Sequence, residues 1–347
     1  MGGFCTHSKT IFKDYCLNSS LAGLSYIADR KYHITERVFW LFCVILSWIG
    51  SIHLIINFMD SYYHNSVSMG VESLLPTETS NFPSAAICEM GYSKEVYDSL
   101  EGMIDAMRIT ESMEYNYDVE DFLMRVVFHN LYNFGSMSSY CAPYVDDLES
   151  IQCPKSGYQG FADKVRANCS KLFTECIWNE KPFDCCHYFK PLKTTLGKCF
   201  LLNSIQTVAK GGKNWLPTKV GFKEGNGHLQ LRVTKSSALY ILNEEDIPHM
   251  LLTTLQFPQI PDGFDGQLLL SVQNTANDPN VRNIDQKLRK CIFPDEQINS
   301  KYRRYSYSTC VTECLKMAQI EACNCTHYNM IVDGKDCQLS FHSFLTI

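Results

Sequence analysis

The run from Val38 to Met59, VFWLFCVILSWIGSIHLIINFM, carries no formally charged residue and limits what the chain can fold into more than any other stretch. At about 1.5 Å of rise per residue, its roughly 22 residues reach about 33 Å, enough to cross a hydrocarbon core of roughly 30 Å. Buried helices of soluble domains rarely run so far without a charge, so one membrane-spanning helix is expected. The polar interruptions are mild: Ser47, Ser51, His53 and Asn57. His53 and Asn57 lie four apart, on one face that would point at a neighbouring helix rather than at lipid. Trp40 is placed for the inner interface and Trp48 for packing in mid-membrane.

Sidedness follows from charge. Lys9, Lys13, Arg30, Lys31 and Arg37 precede the run, and the first basic residue after it is Lys94. The positive-inside rule puts the N-terminus in the cytoplasm and the bulk of the chain outside. Cysteine usage agrees. Of 17 cysteines, Cys5, Cys16 and Cys43 precede or lie within the run, and the rest, Cys88 to Cys337, follow it, as expected for an oxidised compartment. The opening MGGFCTHSKTIFKDY is too polar for a signal peptide. The expected organisation is a cytoplasmic arm over 1–37, a transmembrane helix over 38–59 and a cysteine-rich extracellular domain over 60–347. The apolar patch Phe341 to Ile347 is too short to span, so the chain as given shows no second membrane segment. A net charge of −6 offers no basic field for nucleic acid.

Beyond the run, Phe82-Pro83-Ser84-Ala85-Ala86-Ile87-Cys88 reads as a strand pinned by a disulfide. Tyr92 to Asn133 reads as largely helical, with Leu100, Met103, Ile104 and Met107 at helical spacing. Cys141 to Cys199 shows little periodicity and is expected to be loop-rich and stapled. His228 to Thr234 alternates, and Gln267 to Val272 is a short apolar run; both are expected to be strands. Tyr302 to Met317 suits a helix with Cys310 and Cys314 on one face. Asn18, Ser19 and Ser20 can cap a turn ahead of Leu21-Ala22-Gly23-Leu24.

The chemistry-bearing patterns exclude more than they include. Cys310-x3-Cys314 with Cys323-x-Cys325 superficially resembles a zinc cluster, but no histidine pair follows at finger spacing, and thiols outside the cell oxidise; disulfides are expected and no metal. There is no nucleophile elbow, P-loop or dinucleotide fingerprint, so no enzyme and no cofactor are expected. The acidic groups Asp146-Asp147-Glu149 and Glu244-Glu245-Asp246 read as solvated loops without EF-hand spacing. Asn168-Cys169-Ser170 and Asn324-Cys325-Thr326 are glycosylation sequons, each with a cysteine in the middle.

Four blocks together resemble one family: Tyr15-Cys16-x-Asn18-Ser19-Ser20-Leu21-Ala22-Gly23; Phe82-Pro83-Ser84-Ala85-Ala86-Ile87-Cys88; Gly197-Lys198-Cys199-Phe200-x2-Asn203; and the run from Asn277-Asp278-Pro279 through Arg289-Lys290-Cys291-x-Phe293-Pro294 to Tyr307-x2-Cys310-x3-Cys314-x8-Cys323-x-Cys325-x11-Cys337. They are similar to the degenerin/epithelial sodium channel family, in particular its insect pickpocket branch. The resemblance implies an α+β membrane protein: an N-terminal transmembrane helix followed by a disulfide-rich extracellular domain of palm, β-ball, finger and thumb. It implies a plasma-membrane, amiloride-sensitive-type sodium channel subunit, gated by ligand, protons or force. Its partners would be sodium ions, the lipid bilayer and other subunits of the family in a homo- or heterotrimer.

Residue roles carry over from the resemblance. The family's His-Gly turn before the first helix, which contributes to the pore, is Ala22-Gly23 here; Gly23 keeps the backbone freedom and Ala22 loses a polar side chain. The resemblance pairs Cys88 with Cys199 and Cys325 with Cys337. It also implies three bonds among Cys141, Cys153, Cys169, Cys176, Cys185 and Cys186. The usual partners of Cys291, Cys310, Cys314 and Cys323 lie beyond this sequence, which leaves those four unpaired or alternatively paired. The second membrane helix, which carries the family's selectivity element, is likewise not in the sequence. An alternative expectation is therefore a truncated, single-pass, non-conducting subunit that regulates or poisons full-length trimers.

Overall fold

The computed structural model describes residues 11, 13–21, 23–65, 67, 70, 79–90, 94–107, 117–128, 157–221, 223, 225–249, 265–271, 277–296 and 301–330. The chain divides into two compact units, one of residues 1–72 and 275–291, the other of residues 73–274 and 292–347.

In the first unit a short helix α1 (Leu24–Ala28) precedes a long one, α2 (Ile34–His64). The 31 residues of α2 extend the apolar run at both ends, to about 46 Å at 1.5 Å per residue. The extra turns have local causes. His33 is the N-cap and accepts from the Thr35 amide, and Glu36 sits in the first turn, where the helix dipole favours an acid. At the other end Asp60 meets His64 at 3.1 Å, one turn on. No residue of α2 is buried. Phe39, Phe42, Ile45, Ile49, Ile52, Ile56 and Phe58 all face outward, as suits a helix solvated by lipid rather than by a protein core. The amide of Asn57 and the ring of His53 bond to each other at 3.2 Å, so each partly satisfies the other along the helix surface. The same unit holds a 3-10 turn Pro279–Asn283, capped by Asp278, and a helical turn Gln286–Arg289, capped by Asp285. Lys290 Nζ donates to the carbonyl of His64 at 3.0 Å, which ties this segment to the end of α2.

The second unit is built on an antiparallel sheet. Its strands are β2 (Ser84–Glu89), β5 (Lys190–Thr194), β6 (Gly197–Leu202) and β9 (Ser237–Leu242), in the order β5-β6-β2-β9. All six residues of β2 are buried. The period of two explains why small residues dominate it, because both faces are covered. Ala85 and Ile87 pack with Phe173, Phe189 and Phe200 on one side; Ala86 and Cys88 pack with Leu201, Tyr240 and Leu242 on the other. A second sheet orders β4 (Lys181–Pro182), β3 (Phe173–Trp178) and β8 (Leu229–Val233), and β1 (Ser80–Asn81) pairs with β7 (Lys219–Val220). The helices are α3 (Lys94–Met107), α4 (Tyr117–Val127), α5 (Tyr158–Val165) and α6 (Tyr307–Cys323). Val96, Leu100 and Ile104 of α3 meet Val119, Leu123 and Val126 of α4 in one apolar cluster with Tyr158, Val165 and Tyr328.

Three segments differ from the sequence reading. Residues 173–202, within the stretch expected to be loop-rich, hold four strands; they are short and only partly alternating, so no period shows. Residues 267–271 form no strand, and Leu269 is 87% exposed; Val272 lies outside the described residues. The helix expected from Tyr302 begins at Tyr307, because Ser306 and Thr309 cap each other: the Thr309 amide donates to Ser306 Oγ at 3.2 Å, and the Ser306 amide to Thr309 Oγ1 at 2.8 Å.

Candidate functional site

The turn that leads into α2 is the candidate site of the first unit. Leu21 N bonds to Ser19 Oγ at 3.2 Å, so the Ser19 side chain stabilises the bend ahead of α1. Gly23 caps α1 with φ 97° and ψ −31°. A Cβ there would fall 2.7 Å from Val44 Cγ2 and 3.4 Å from the Trp40 ring. Glycine is thus required twice, by the backbone angle and by the approach to α2. The contact continues along α1: the rings of Tyr26 and Trp40 stack at 4.7 Å, Tyr26 meets Tyr32 edge-on at 5.2 Å, and Arg37 Nε donates to the Ile27 carbonyl at 2.9 Å. This fixes a tight, backbone-rich corner against the first third of an exposed apolar helix. Ala22 lies outside the described residues.

The other unit, taken by itself, holds a cross-linked frame. Cys88 and Cys199, directly opposed in the β2–β6 ladder, form a disulfide with their Cα atoms 4.4 Å apart. Cys169–Cys186 and Cys176–Cys185 form a nested pair around the β3–β4 hairpin. Cys325 is disulfide-bonded; Cys337, Cys141 and Cys153 lie outside the described residues. Cys291 and Cys314 are free and exposed, and Cys310 is free and half-buried. Cys323 ends α6, and its side chain is outside the described set. Of the sequon residues, Asn168 is exposed and its Oδ1 accepts from Lys198 Nζ at 3.3 Å; Asn324 is exposed in a left-handed cap after α6.

Several polar side chains hold this frame; Asn203 closes one of the blocks read in the sequence, whereas Gln206 and Arg166 stand in none. Asn203 sits at φ 52° just past β6. Its Nδ2 donates to the Leu216 carbonyl at 2.8 Å and to Thr218 Oγ1 at 3.0 Å, while its Oδ1 accepts from the Leu216 amide at 2.8 Å. Gln206 Nε2 donates to the carbonyls of Glu245 (2.7 Å) and Arg304 (2.8 Å), and its Oε1 accepts from the Arg303 amide at 3.0 Å. One side chain so joins three segments. Arg166, 4% exposed, directs Nε and Nη2 at the Val127 carbonyl at 2.9 and 2.7 Å. Glu89 lies beside it and accepts from the Ala167 amide at 2.8 Å. Burial pushes the Glu89 carboxyl up, against the pull of the Ala167 amide and of Arg166; burial pushes the Arg166 guanidinium down, against Glu89.

Comparison with known proteins places the whole arrangement. The amiloride-sensitive sodium channel family matches residues 15–343. The chain is similar to the sodium channel protein Nach of Drosophila ananassae, 22% identical over 92% of this chain and 62% of that protein. It is similar to Nach of Drosophila melanogaster, 22% identical over 94% of this chain and 64% of that protein, and to pickpocket protein 28 of the same fly, 21% identical over 90% and 55%. The chain thus spans about three fifths of the length of these curated relatives. The matched region takes in the Gly23 corner, the exposed apolar helix and the disulfide-tied sheet alike, and on that ground the chain belongs to the amiloride-sensitive sodium channel family.

Proposed function

We propose that the protein acts as a subunit of a sodium-conducting channel in the plasma membrane, assembled as a trimer with subunits of its own family. Residues 1–37 lie in the cytoplasm, α2 crosses the bilayer through residues 38–59, and residues 60–347 are extracellular. The observation that carries the reading is the unbroken family match from the lead-in turn to the disulfide-rich region. The charge asymmetry about α2 supports the orientation, and its unburied apolar surface supports the crossing. In this reading the Gly23 corner lies at the cytoplasmic end of the ion path, where Ala22 offers no side-chain donor, so the backbone carries the polar surface there. An extracellular stimulus acts on the disulfide-tied ectodomain. The exposed Asn168 and Asn324 are the glycosylation candidates, and Cys325–Cys337 is the further disulfide.

The test is co-expression of the tagged chain with a pickpocket subunit in insect cells. Expected are co-purification in non-ionic detergent, extracellular accessibility of a tag placed after α2, and a changed amiloride-blocked sodium current. A tag reached only after permeabilisation would overturn the orientation. Failure to co-purify together with an unchanged current would overturn the channel role.

A further inference from the structure

Within the second unit a cleft of about 220 Å³ opens between α5 and the β5–β6 hairpin. Asp163, Arg166, Lys193, Gly197, Lys198 and Asn329 contribute to its wall. Arg166, Lys193 and Lys198 line the cleft with Asp163; the Glu89 carboxyl lies beside Arg166, its Oε2 on the Ala167 amide and its Oε1 buried without a hydrogen-bond partner. A guanidinium has five N–H groups. Arg166 commits Nε and Nη2 to the Val127 carbonyl and Nη1 to the Glu89 carbonyl at 3.4 Å, which leaves two N–H groups without a protein acceptor. The guanidinium lies directly on the backbone of Gly197, where a Cβ would come 2.5 Å from its central carbon, so only glycine permits this placement. Asn329 is 4% exposed, and its Nδ2 is buried with no acceptor. Lys198 makes one long bond, to Asn168 Oδ1, and keeps the rest of its ammonium free. On the acceptor side, Gln159 Oε1 is already taken by Lys193 Nζ at 2.8 Å.

Unpaired buried donors are costly, and here they converge on one cleft rather than being scattered. The missing component is therefore made of acceptors and carries negative charge. The volume lies below the range of about 300–1,000 Å³ that drug-sized ligands occupy, so a peptide or a nucleotide is too large. We propose that this cleft binds a small oxyanion, a carboxylate or a phosphate, held by Arg166, Lys198 and Asn329. Bound there, it bridges α5 to the β5–β6 hairpin and so stiffens the frame. The site is independent of whether the protein conducts sodium.

The experiment uses the full chain in detergent. Its melting temperature is followed in 20 mM sodium succinate, in 20 mM sodium phosphate, and in sodium chloride of matched ionic strength and pH. One oxyanion or both are expected to raise Tm by about 2–4 °C over chloride, and the one that does identifies the source. Lys198→Met keeps the aliphatic stem, and because this side chain is half-exposed the unliganded Tm should stay near that of the parent; the shift should fall by at least about half. Equilibrium dialysis of the parent chain with labelled succinate and phosphate should give one bound ion per chain, which keeps the test valid if the variant misfolds. Equal Tm in all three salts with no saturable binding would overturn the proposal, as would a shift that Lys198→Met leaves intact.

Discussion

Replacing Gly23 by alanine separates two costs that the structure places at one residue. The first is backbone: φ 97° with ψ −31° lies outside the left-handed helical well, in a sparsely populated region that costs an L-residue about 1–3 kcal/mol. The second is contact: the new Cβ would sit 2.7 Å from Val44 Cγ2, and forcing a methyl into such a gap costs about 1–3 kcal/mol. Together they weaken the docking of α1 on α2 by about 2–6 kcal/mol. The amides of Ile27 and Asp29 report it, since they bond to Gly23 O at 3.4 Å and Ser25 O at 3.0 Å within the same turn. With about 1.4 kcal/mol per tenfold, hydrogen exchange at these amides should accelerate by at least about 30-fold, up to the point where α1 gives no protection. Adding Val44→Ala to the Gly23→Ala chain removes the colliding methyl. It should restore the contact part and leave the backbone part, about 5- to 150-fold over the parent. Exchange within about threefold of the parent in the single variant would refute the reasoning. No recovery on adding Val44→Ala would refute the assignment of the contact.

The other unit offers four further variants. Asn203→Ala loses three hydrogen bonds at a left-handed position and should cost about 2–4 kcal/mol, read as a lower urea midpoint with an unchanged slope. Gln206→Ala should cost about 1–3 kcal/mol and speed exchange at Arg303 and Arg304 while the β2 and β6 amides stay protected. Gln206→Glu should be worse than alanine, because it turns a carboxylate oxygen toward the carbonyls of Glu245 and Arg304. For His249, burial holds the imidazole below its ordinary value of 6.5, outweighing the attraction of Asp246. The unfolded chain then binds the proton more readily, so stability should fall as pH drops from 6.5 toward the depressed folded value. His249→Gln should flatten that part of a stability-against-pH curve, and an unchanged slope would contradict the assignment.

What the sequence makes legible is what contiguous residues decide. The uncharged run forms α2, and the alternation in His228–Thr234 forms β8, because each pattern lies within one element. Gln267–Leu270 has the same apolar look, yet it pairs with nothing among the described residues; a strand needs a partner, and a short run does not name one. The start of α6 depended on Ser306 and Thr309, a reciprocal cap with threonine where glutamate or glutamine is usual, so it escapes a motif search. The Gly23 corner was half-visible: the glycine signals a turn, but only the fold brings Val44 and Trp40 against it. Arg166 was invisible. Its acceptors come from residues 127 and 89, far away in sequence, and a lone arginine ahead of an Ala-Asn-Cys reads as surface.

The nested bonds Cys169–Cys186 and Cys176–Cys185 end on neighbouring residues of one helical turn. A pleated strand that slides by a single residue turns each side chain to the opposite face. In such a slipped hairpin Cys176 would present the wrong side to Cys185, and the exchanged pairing would have to rotate the turn that Asp184 fixes through the amides of Cys186 and His187. Oxidation in the observed pairing therefore fixes the hairpin in one alignment. Oxidative refolding without a disulfide isomerase should then leave a share of this protein as scrambled, non-native isomers, even though each of these four cysteines is oxidised.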